Sequence, residues 1–387
     1  MPHPDPMPWP QARRTAREAI EPLLVRVIPL SAAAGAVLAQ DIAARSDLPS
    51  ADVSAMDGWA VSGPAPWDVV GEVLAGGLPA PLAPSTAVAI ATGATMPEGA
   101  DGVLRTESGR LTPGPGHPAL TVLDGASPNV RADVRRAGQE CRAGDVVLAA
   151  GARLGPAALG LLAAAGLDVV PVRRATVAVL VLGDELLTAG PARDGRLRDA
   201  IGPLLSAWLP ALGVSVVQIT RVPDRRAALA AALAACPADL VLTTGSTARG
   251  PVDHLHDVLD DAAARLLVDG VAVRPGHPML LAALADGRPL VGLPGNPLAA
   301  VSALLTLLHP VVDALHARPV PAARIAALAE DVSAGEDATR LVPVREGRPV
   351  LFAGPAMLRG LAVADAVAVI PPGGRPAGSP VELLPLP

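Results

Sequence analysis

The chain has 387 residues, 51% of them hydrophobic, and a formal net charge of −6. That length exceeds one ordinary core, so two to four domains are expected, with enough apolar side chains to fill them. Every basic side chain other than histidine is arginine, and no basic patch with interleaved aromatics occurs, which argues against nucleic-acid binding.

The N-terminal segment lacks the apolar core of a signal peptide. Residues 11–50 read as helical and then extended, with Pro22 near the boundary. From 51 to 137 short β-like runs alternate with Gly/Pro turns: TAVAIATG, GVLRTE and ALTVLDG. They predict a compact β-rich module. Residues 156–166 read as a helix closed by Gly166. Cys141 and Cys236 stand too far apart in sequence to suggest a disulfide framework or a zinc pattern.

The block from 174 to 318 has another texture. TVAVLVLGDEL, VSVVQITRV, DLVLTTG and PLVGLPGNP read as strands. Between them stand RLRDAIGPLLSAWLPALG, interrupted by Pro203 and Pro210, then DRRAALAAALAAC and VDHLHDVLDDAAARLL, all helix-like. Continuous apolar strands alternating with helices predict a parallel sheet covered on both faces. The longest apolar run, PLAAVSALLTLLHPVVDALH at 297–316, carries Ser302, Thr306, His309 and Pro310. It reads as a buried helix ended near Pro310 and not as a membrane span. Residues 319–387 return to short strands and prolines, a small C-terminal β domain. A soluble cytoplasmic protein is expected.

Ligands of open α/β sheets bind at the carboxyl ends of the strands. Four such ends carry polar residues here. GDEL holds Asp184 and Glu185, RVPD holds Asp224, TTGSTARGPVD holds Asp253, and GLPGNP holds Asn296. Carboxylates on one rim can hold a magnesium ion, and loop amides and helix N-termini can hold phosphates. Each residue also has a plainer reading. Asp224 and Asp253 fit helix caps, Asn296 fits a turn former, and Glu185 fits a solvated loop acid. His254 and His256, two apart, do not share a helix face and are not a metal pair. In the β-rich module, PSADVSAMDGWAV and ATGATMPEGADGV are further loops of small and acidic residues.

Taken together, DVSAMDGWAV, IATGATMPEGADGV, RRAGQECRAGD, VLGDEL, VRPGHP and GLPGNPLAAVSA, in that order along the chain, resemble the molybdopterin molybdenumtransferase family. This is the MoeA type, related to the E domain of gephyrin. The resemblance implies a multidomain α/β protein of four parts. An elongated linking domain covers 8–50 and 138–173, and the β-rich module covers 51–137. A three-layer α/β domain of molybdopterin-binding type covers 174–318, and the C-terminal β domain covers 319–387. It further implies a homodimer with a site shared between subunits. There, adenylylated molybdopterin and molybdate react with Mg²⁺ present, and AMP leaves.

By motif, the resemblance assigns catalytic roles to Asp57, Glu185, Asp224 and Asp253, the last three also as metal ligands. Thr92 lies on the loop neighbouring Asp57. Glu140 stands for the acid of the family's GED, because this chain reads GQE. Gly245, Ser246 and Gly250 belong to the third strand's loop. Pro294, Asn296 and Pro297 belong to GLPGNP, and Arg340 to the C-terminal domain. Arg274 and His277 replace the lysines of KPGKP. The family's STGDEL reads VLGDEL, with Val181 and Leu182 for two hydroxyls. D-S/T-N reads Asp199-Ala200-Ile201. Ser246 replaces a glycine, Ala248 a serine, and Pro355 a serine. Two functions are compatible with this pattern: a working molybdenumtransferase, or a weakened paralogue that binds molybdopterin or nucleotide as a scaffold.

Overall fold

The computed structural model describes residues 5–123, 133–248, 250 and 253–387. The chain forms two compact units, one of residues 1–40, 150–155 and 170–387, the other of residues 41–149 and 156–169.

In the first unit a six-stranded sheet is built from β1 (Thr176–Leu182), β2 (Ser215–Val222), β3 (Leu240–Thr244), β4 (Arg265–Asp269), β5 (Leu280–Ala283) and β6 (Pro289–Leu293). The strand order is β2-β1-β3-β6-β5-β4. The first four in that order pair parallel, while β5 pairs antiparallel with both its neighbours, β6 and β4. The sheet is therefore mixed, where the sequence predicts a parallel one. Helices α1 (Ile201–Ala211), α2 (Arg226–Ala234) and α3 (Leu255–Asp261) connect its strands. A long helix, α4, spans Pro297–Leu315.

The alternation of side chains along β1 explains why both faces are apolar. Val177, Val179 and Val181 enter one cluster with Leu205 and Leu209 of α1 and with Leu304 and Leu308 of α4. Ala178, Leu180 and Leu182 enter the other, with Leu229 and Leu233 of α2 and Leu255 and Val258 of α3.

Three local readings change. The helix expected over 252–267 stops at Asp261, and Arg265–Asp269 becomes strand β4. Leu266 and Val268 pair with Ala282 and Leu281 of β5, so sheet pairing between residues remote in sequence overrides the local pattern. Pro203 falls in the first turn of α1, where its missing N–H costs no intrahelical bond, and Pro210 lies inside the helix, which ends one residue later at Ala211. Pro310 does not end α4. The backbone widens into a π segment at Leu304–Leu308, which accommodates the proline, and helix resumes at His309. Although long and apolar enough to cross a membrane, α4 has 89% of its apolar window buried inside the protein.

An N-terminal helix, Trp9–Glu18, buries Trp9, Ala12 and Ala16 in the α4 cluster. The Trp9 indole N–H donates to Thr306 Oγ1 at 3.0 Å, and Arg13 donates to the carbonyl of Leu305, inside the π segment. The C-terminal sheet has the order Met7–Pro8, Val271–Arg274, Thr339–Arg345, Ala366–Ile370, Pro380–Pro385, Arg324–Ala327. Two of its strands come from outside 319–387, a recruitment that local pattern does not reveal.

The second unit holds a six-stranded sheet. Its order is Gly109–Thr112, Ala119–Val122, Trp67–Val73, Thr86–Ile90, Gly58–Val61, Gly102–Arg105. Gly58 stands where a Cβ would lie 2.0 Å from the Leu104 carbonyl, so DG here is a close strand approach and not only a turn. Helix Pro156–Ala164 ends before Gly166, whose φ is +85°.

Candidate functional site

In the first unit the ends of β1, β3 and β6 open onto a cavity of about 700 Å³. Of the residues assigned from sequence, Glu185, Asp224, Gly245, Ser246, Asp253, Pro294, Asn296 and Pro297 line it. All come from loops that follow the parallel strands, where that topology leaves backbone groups unpaired.

The two aspartates do not cap helices, contrary to their plainer reading. Asp224 Oδ1 accepts from the Gly183 N–H at 3.0 Å, and its Oδ2 accepts from the Asp184 N–H at 2.9 Å. The aspartate after β2 thereby ties down the loop after β1. Asp253 Oδ2 accepts from the Gly250 N–H at 2.7 Å and closes its own turn. Glu185 is exposed and lines the cavity, and its carboxylate has no hydrogen-bonded partner among the described residues, although its backbone carbonyl accepts from the Leu197 N–H at 3.0 Å. It is the uncommitted carboxylate of the three.

Gly245 has φ +78° and Ser246 φ +56°, so this turn runs through left-handed backbone at both positions. The serine occupies a conformation that suits glycine. Its hydroxyl is put to use: Ser246 Oγ accepts from the His254 N–H at 2.7 Å, at the start of α3. The Ser246 change is accommodated by that bond, and Ala248 also lines the cavity. Arg249, another change in this turn, lies outside the described residues.

Asn296 occupies the cap position of α4, yet its side chain makes no capping bond. The amides of Leu298 and Ala299 donate instead to the Pro355 carbonyl, at 2.9 and 3.3 Å. Ala356 and Leu358 of the same loop line the cavity, as do Thr244, Thr247 and Arg198. Sequence reasoning passed over these five. Two hydroxyls at the end of β3, in TTGST, were the available signal. Thr244 lies opposite Val181 in the sheet, one strand from the hydroxyls lost at Val181 and Leu182.

The remaining assigned residues lie elsewhere. Arg274 and Arg340 face each other across a parallel strand pair of the C-terminal sheet. Arg340 Nη1 donates to the Ser333 carbonyl at 2.7 Å, and His277 Nδ1 lies 3.0 Å from the Val271 carbonyl. None of the three lines the cavity. In the second unit Asp57 and Thr92 are joined: Asp57 Oδ1 accepts from the Thr92 N–H at 2.7 Å and from its hydroxyl at 3.1 Å. Glu140 is an exposed bend residue whose N–H donates to the Leu48 carbonyl at 2.9 Å.

Among the described residues no group of three or more His, Cys, Asp or Glu side chains could hold a metal ion. Glu185, Asp224 and Asp253 thus share a cavity without forming a ready-made metal centre. The donor set fits magnesium in its usual enzymatic mode, held by one or two carboxylates together with substrate phosphates. Glu185 is the residue free to serve, and the two aspartates hold loops.

Comparison with known proteins identifies the family and the fold. Residues 7–166 match the MoeA N-terminal region (domain I and II), and residues 178–314 match the probable molybdopterin binding domain. The chain is 33% identical to a molybdopterin molybdenumtransferase of Haemophilus influenzae over 79% of this chain and 76% of that one. It is 34% identical to molybdopterin molybdenumtransferase 2 of Mycobacterium tuberculosis over 76% of each. The crystal structure of a molybdopterin biosynthesis moea protein from Pyrococcus horikosii superposes with a TM-score of 0.72 at 25% identity, covering 98% of this chain and 99% of that chain.

Proposed function

The chain belongs to the MoeA family of molybdopterin molybdenumtransferases, and from that premise we propose that it inserts molybdate into adenylylated molybdopterin, with magnesium, in the cytoplasm. The dithiolene of the pterin receives the molybdenum and AMP is released. The observation that carries the reading is the single cavity lined by Glu185, Asp224, Asp253, the Gly245–Ala248 turn and Asn296. Glu185 offers a free carboxylate for a magnesium ion that arrives with substrate phosphates. Bound there, the ion would neutralise charge on the phosphates. Asp224 holds the loop that carries Glu185, and Asp253 shapes the turn after β3. The Asn296 amide is free to donate to an anionic group.

The test is AMP release from adenylylated molybdopterin, molybdate and magnesium by the purified chain. Release that depends on molybdate is the expected result. A second reading, binding without insertion, is favoured by one observation. The Pro355 carbonyl occupies the Leu298 and Ala299 amides, so the start of α4 is not open to an anion as an uncapped helix would be. Tight binding with no AMP release would establish that scaffold role and end the transferase reading.

The same proposal makes the active form a homodimer in which Asp57 and Thr92 of a second copy serve the cavity. Mixing inactive Asp57→Ala chains with inactive Glu185→Ala chains is then expected to restore up to about a quarter of normal sites, by random pairing of complementary subunits. No recovery on mixing, with dimers forming normally, would sink the shared site.

A further inference from the structure

In the second unit, the segment that carries Asp57 connects two sheets. Strand Val53–Ser54 pairs antiparallel with Val134–Arg135, and strand Gly58–Val61 pairs with the edge strand Gly102–Arg105. Residues 55–57 cross from one ladder to the other.

Backbone bonds hold both ends of that crossing. The Ala55 N–H donates to the Asp133 carbonyl at 2.7 Å, and the Thr106 N–H donates to the Asp57 carbonyl at 3.2 Å. Gly58 lies close against the same edge: a Cβ there would stand 2.9 Å from Arg105 Cα. Asp133 and Arg105 thus flank the crossing, one beside each ladder, and their side chains close the frame. Arg105 Nε donates to Asp133 Oδ2 and Nη2 to Oδ1, both at 2.8 Å. Paired bonds of this kind fix direction as well as distance, because a planar guanidinium meets a carboxylate edge to edge. The hydrogen bonds from Arg105 hold the Asp133 carboxyl below the usual carboxylate range, so the pair stays charged at neutral pH.

A plainer role would be stability alone. The Arg105 side chain is 44% exposed, and an ion pair with one partner open to water adds little to global stability. What the pair does supply is a fixed separation between the two supports of one segment. Asp57 is the residue that depends on it. Its Oδ1 accepts from the Thr92 N–H and hydroxyl, whereas Oδ2 has no hydrogen-bonded partner among the described residues. A carboxylate with one oxygen anchored presents the other in a set direction only while its backbone keeps its place.

We infer that Arg105 and Asp133 are positioning residues: their paired bonds tie the two ladders together and hold the Asp57 backbone so that Oδ2 is presented in a constant direction. On one point the inference rests on the proposed function, which gives Asp57 its part in the reaction. The hold on Asp57 itself does not depend on that reading.

The test is Arg105→Met in the full chain, read by amide hydrogen exchange and by AMP release. The Thr92 N–H is bonded to Asp57 and to neither member of the pair, so its protection reports where the Asp57 carboxylate sits. In Arg105→Met, Thr92 is expected to exchange several-fold faster. AMP release should slow about 10–100-fold, the cost of a displacement on the order of an ångström. Arg105→Lys keeps the charge without the paired N–H groups and should recover part of both. In Asp57→Ala the Thr92 amide already lacks its acceptor, so adding Arg105→Met should speed its exchange no further. Thermal melts establish which variants are folded, and if Arg105→Met is not, Arg105→Lys carries the same two readings. Unchanged Thr92 protection in the folded variant overturns the assignment. So does faster exchange that adds to the effect of Asp57→Ala, or normal AMP release where Asp57→Ala abolishes it. If Arg105→Met speeds Thr92 exchange while Asp57→Ala releases AMP at the normal rate, the part given to Asp57 in the proposed function falls and the positioning pair stands.

Discussion

Glu185→Gln is expected to lower AMP release by about 10²–10³-fold, the cost of removing one preorganised electrostatic group from an active site. Its thermal midpoint should stay unchanged, because an exposed side chain without hydrogen-bonded partners contributes within about 0.5 kcal/mol to stability. The contrast is Asp224→Asn. That change replaces a charged acceptor of two backbone N–H groups, so it should disturb the loop as well as the reaction. Faster hydrogen exchange at Gly183 and Asp184 would report it. If Glu185→Gln retains a third or more of the normal rate, Glu185 has no place in the chemistry. If it unfolds the chain, the carboxylate has a structural partner that the geometry does not contain.

The second large effect is on stability in acid. His316 is fully buried, and its Nε2 accepts from the Ala175 N–H at 3.2 Å. His309, partly buried, accepts at Nε2 from the Trp208 indole N–H at 3.1 Å. Both bonds require neutral imidazole. Burial first, then the charge of nearby arginines, pushes His316 down to about 4 and His309 down to about 3. In the unfolded chain a histidine protonates near 6.5. As pH falls below that value the unfolded state takes up protons that the folded state refuses. Stability is therefore fully present above about pH 6.5 and is lost as pH falls toward 4.

At pH 5 the loss from His316 is about 2 kcal/mol, at ~1.4 kcal/mol per pH unit. His309 adds less, discounted for its solvent contact. Asp313 works in the opposite sense, because burial pushes its carboxyl up and the folded state then binds that proton first. Urea unfolding at pH 8, 6.5 and 5 measures the balance. His316→Gln keeps an acceptor and should remove more than half of the slope between pH 6.5 and 5. A flat profile in the unaltered chain would mean that these imidazoles charge as freely folded as unfolded.

Much of this molecule is legible in its residues. Val177 to Leu182 is apolar at every position, which leaves no face for water and dictates a strand covered on both sides. The rim acids follow from the same logic, since a buried strand can change to polar residues only where it leaves the sheet. Local pattern could not reveal that Arg265–Asp269 joins that sheet. It also could not show that Met7–Pro8 and Val271–Arg274 join the C-terminal one. Those pairings are made between residues distant along the chain, and each strand alone is too short to carry a periodicity.

The roles of the acids divide in the same way. Sequence placed Glu185, Asp224 and Asp253 at strand ends, and their residue type supplied charge. Only the tertiary structure decided which charge is free. The loop after β1 approaches the end of β2, so Asp224 is consumed by two amides, while the Glu185 carboxylate is left without a partner among the described residues. Likewise, Pro355 was visible as a substitution, but its carbonyl became the cap of α4 through a contact some 57 residues away in sequence. Hydrogen-bonding capacity belongs to the residue; whether it is spent or available depends on which backbone the fold brings beside it.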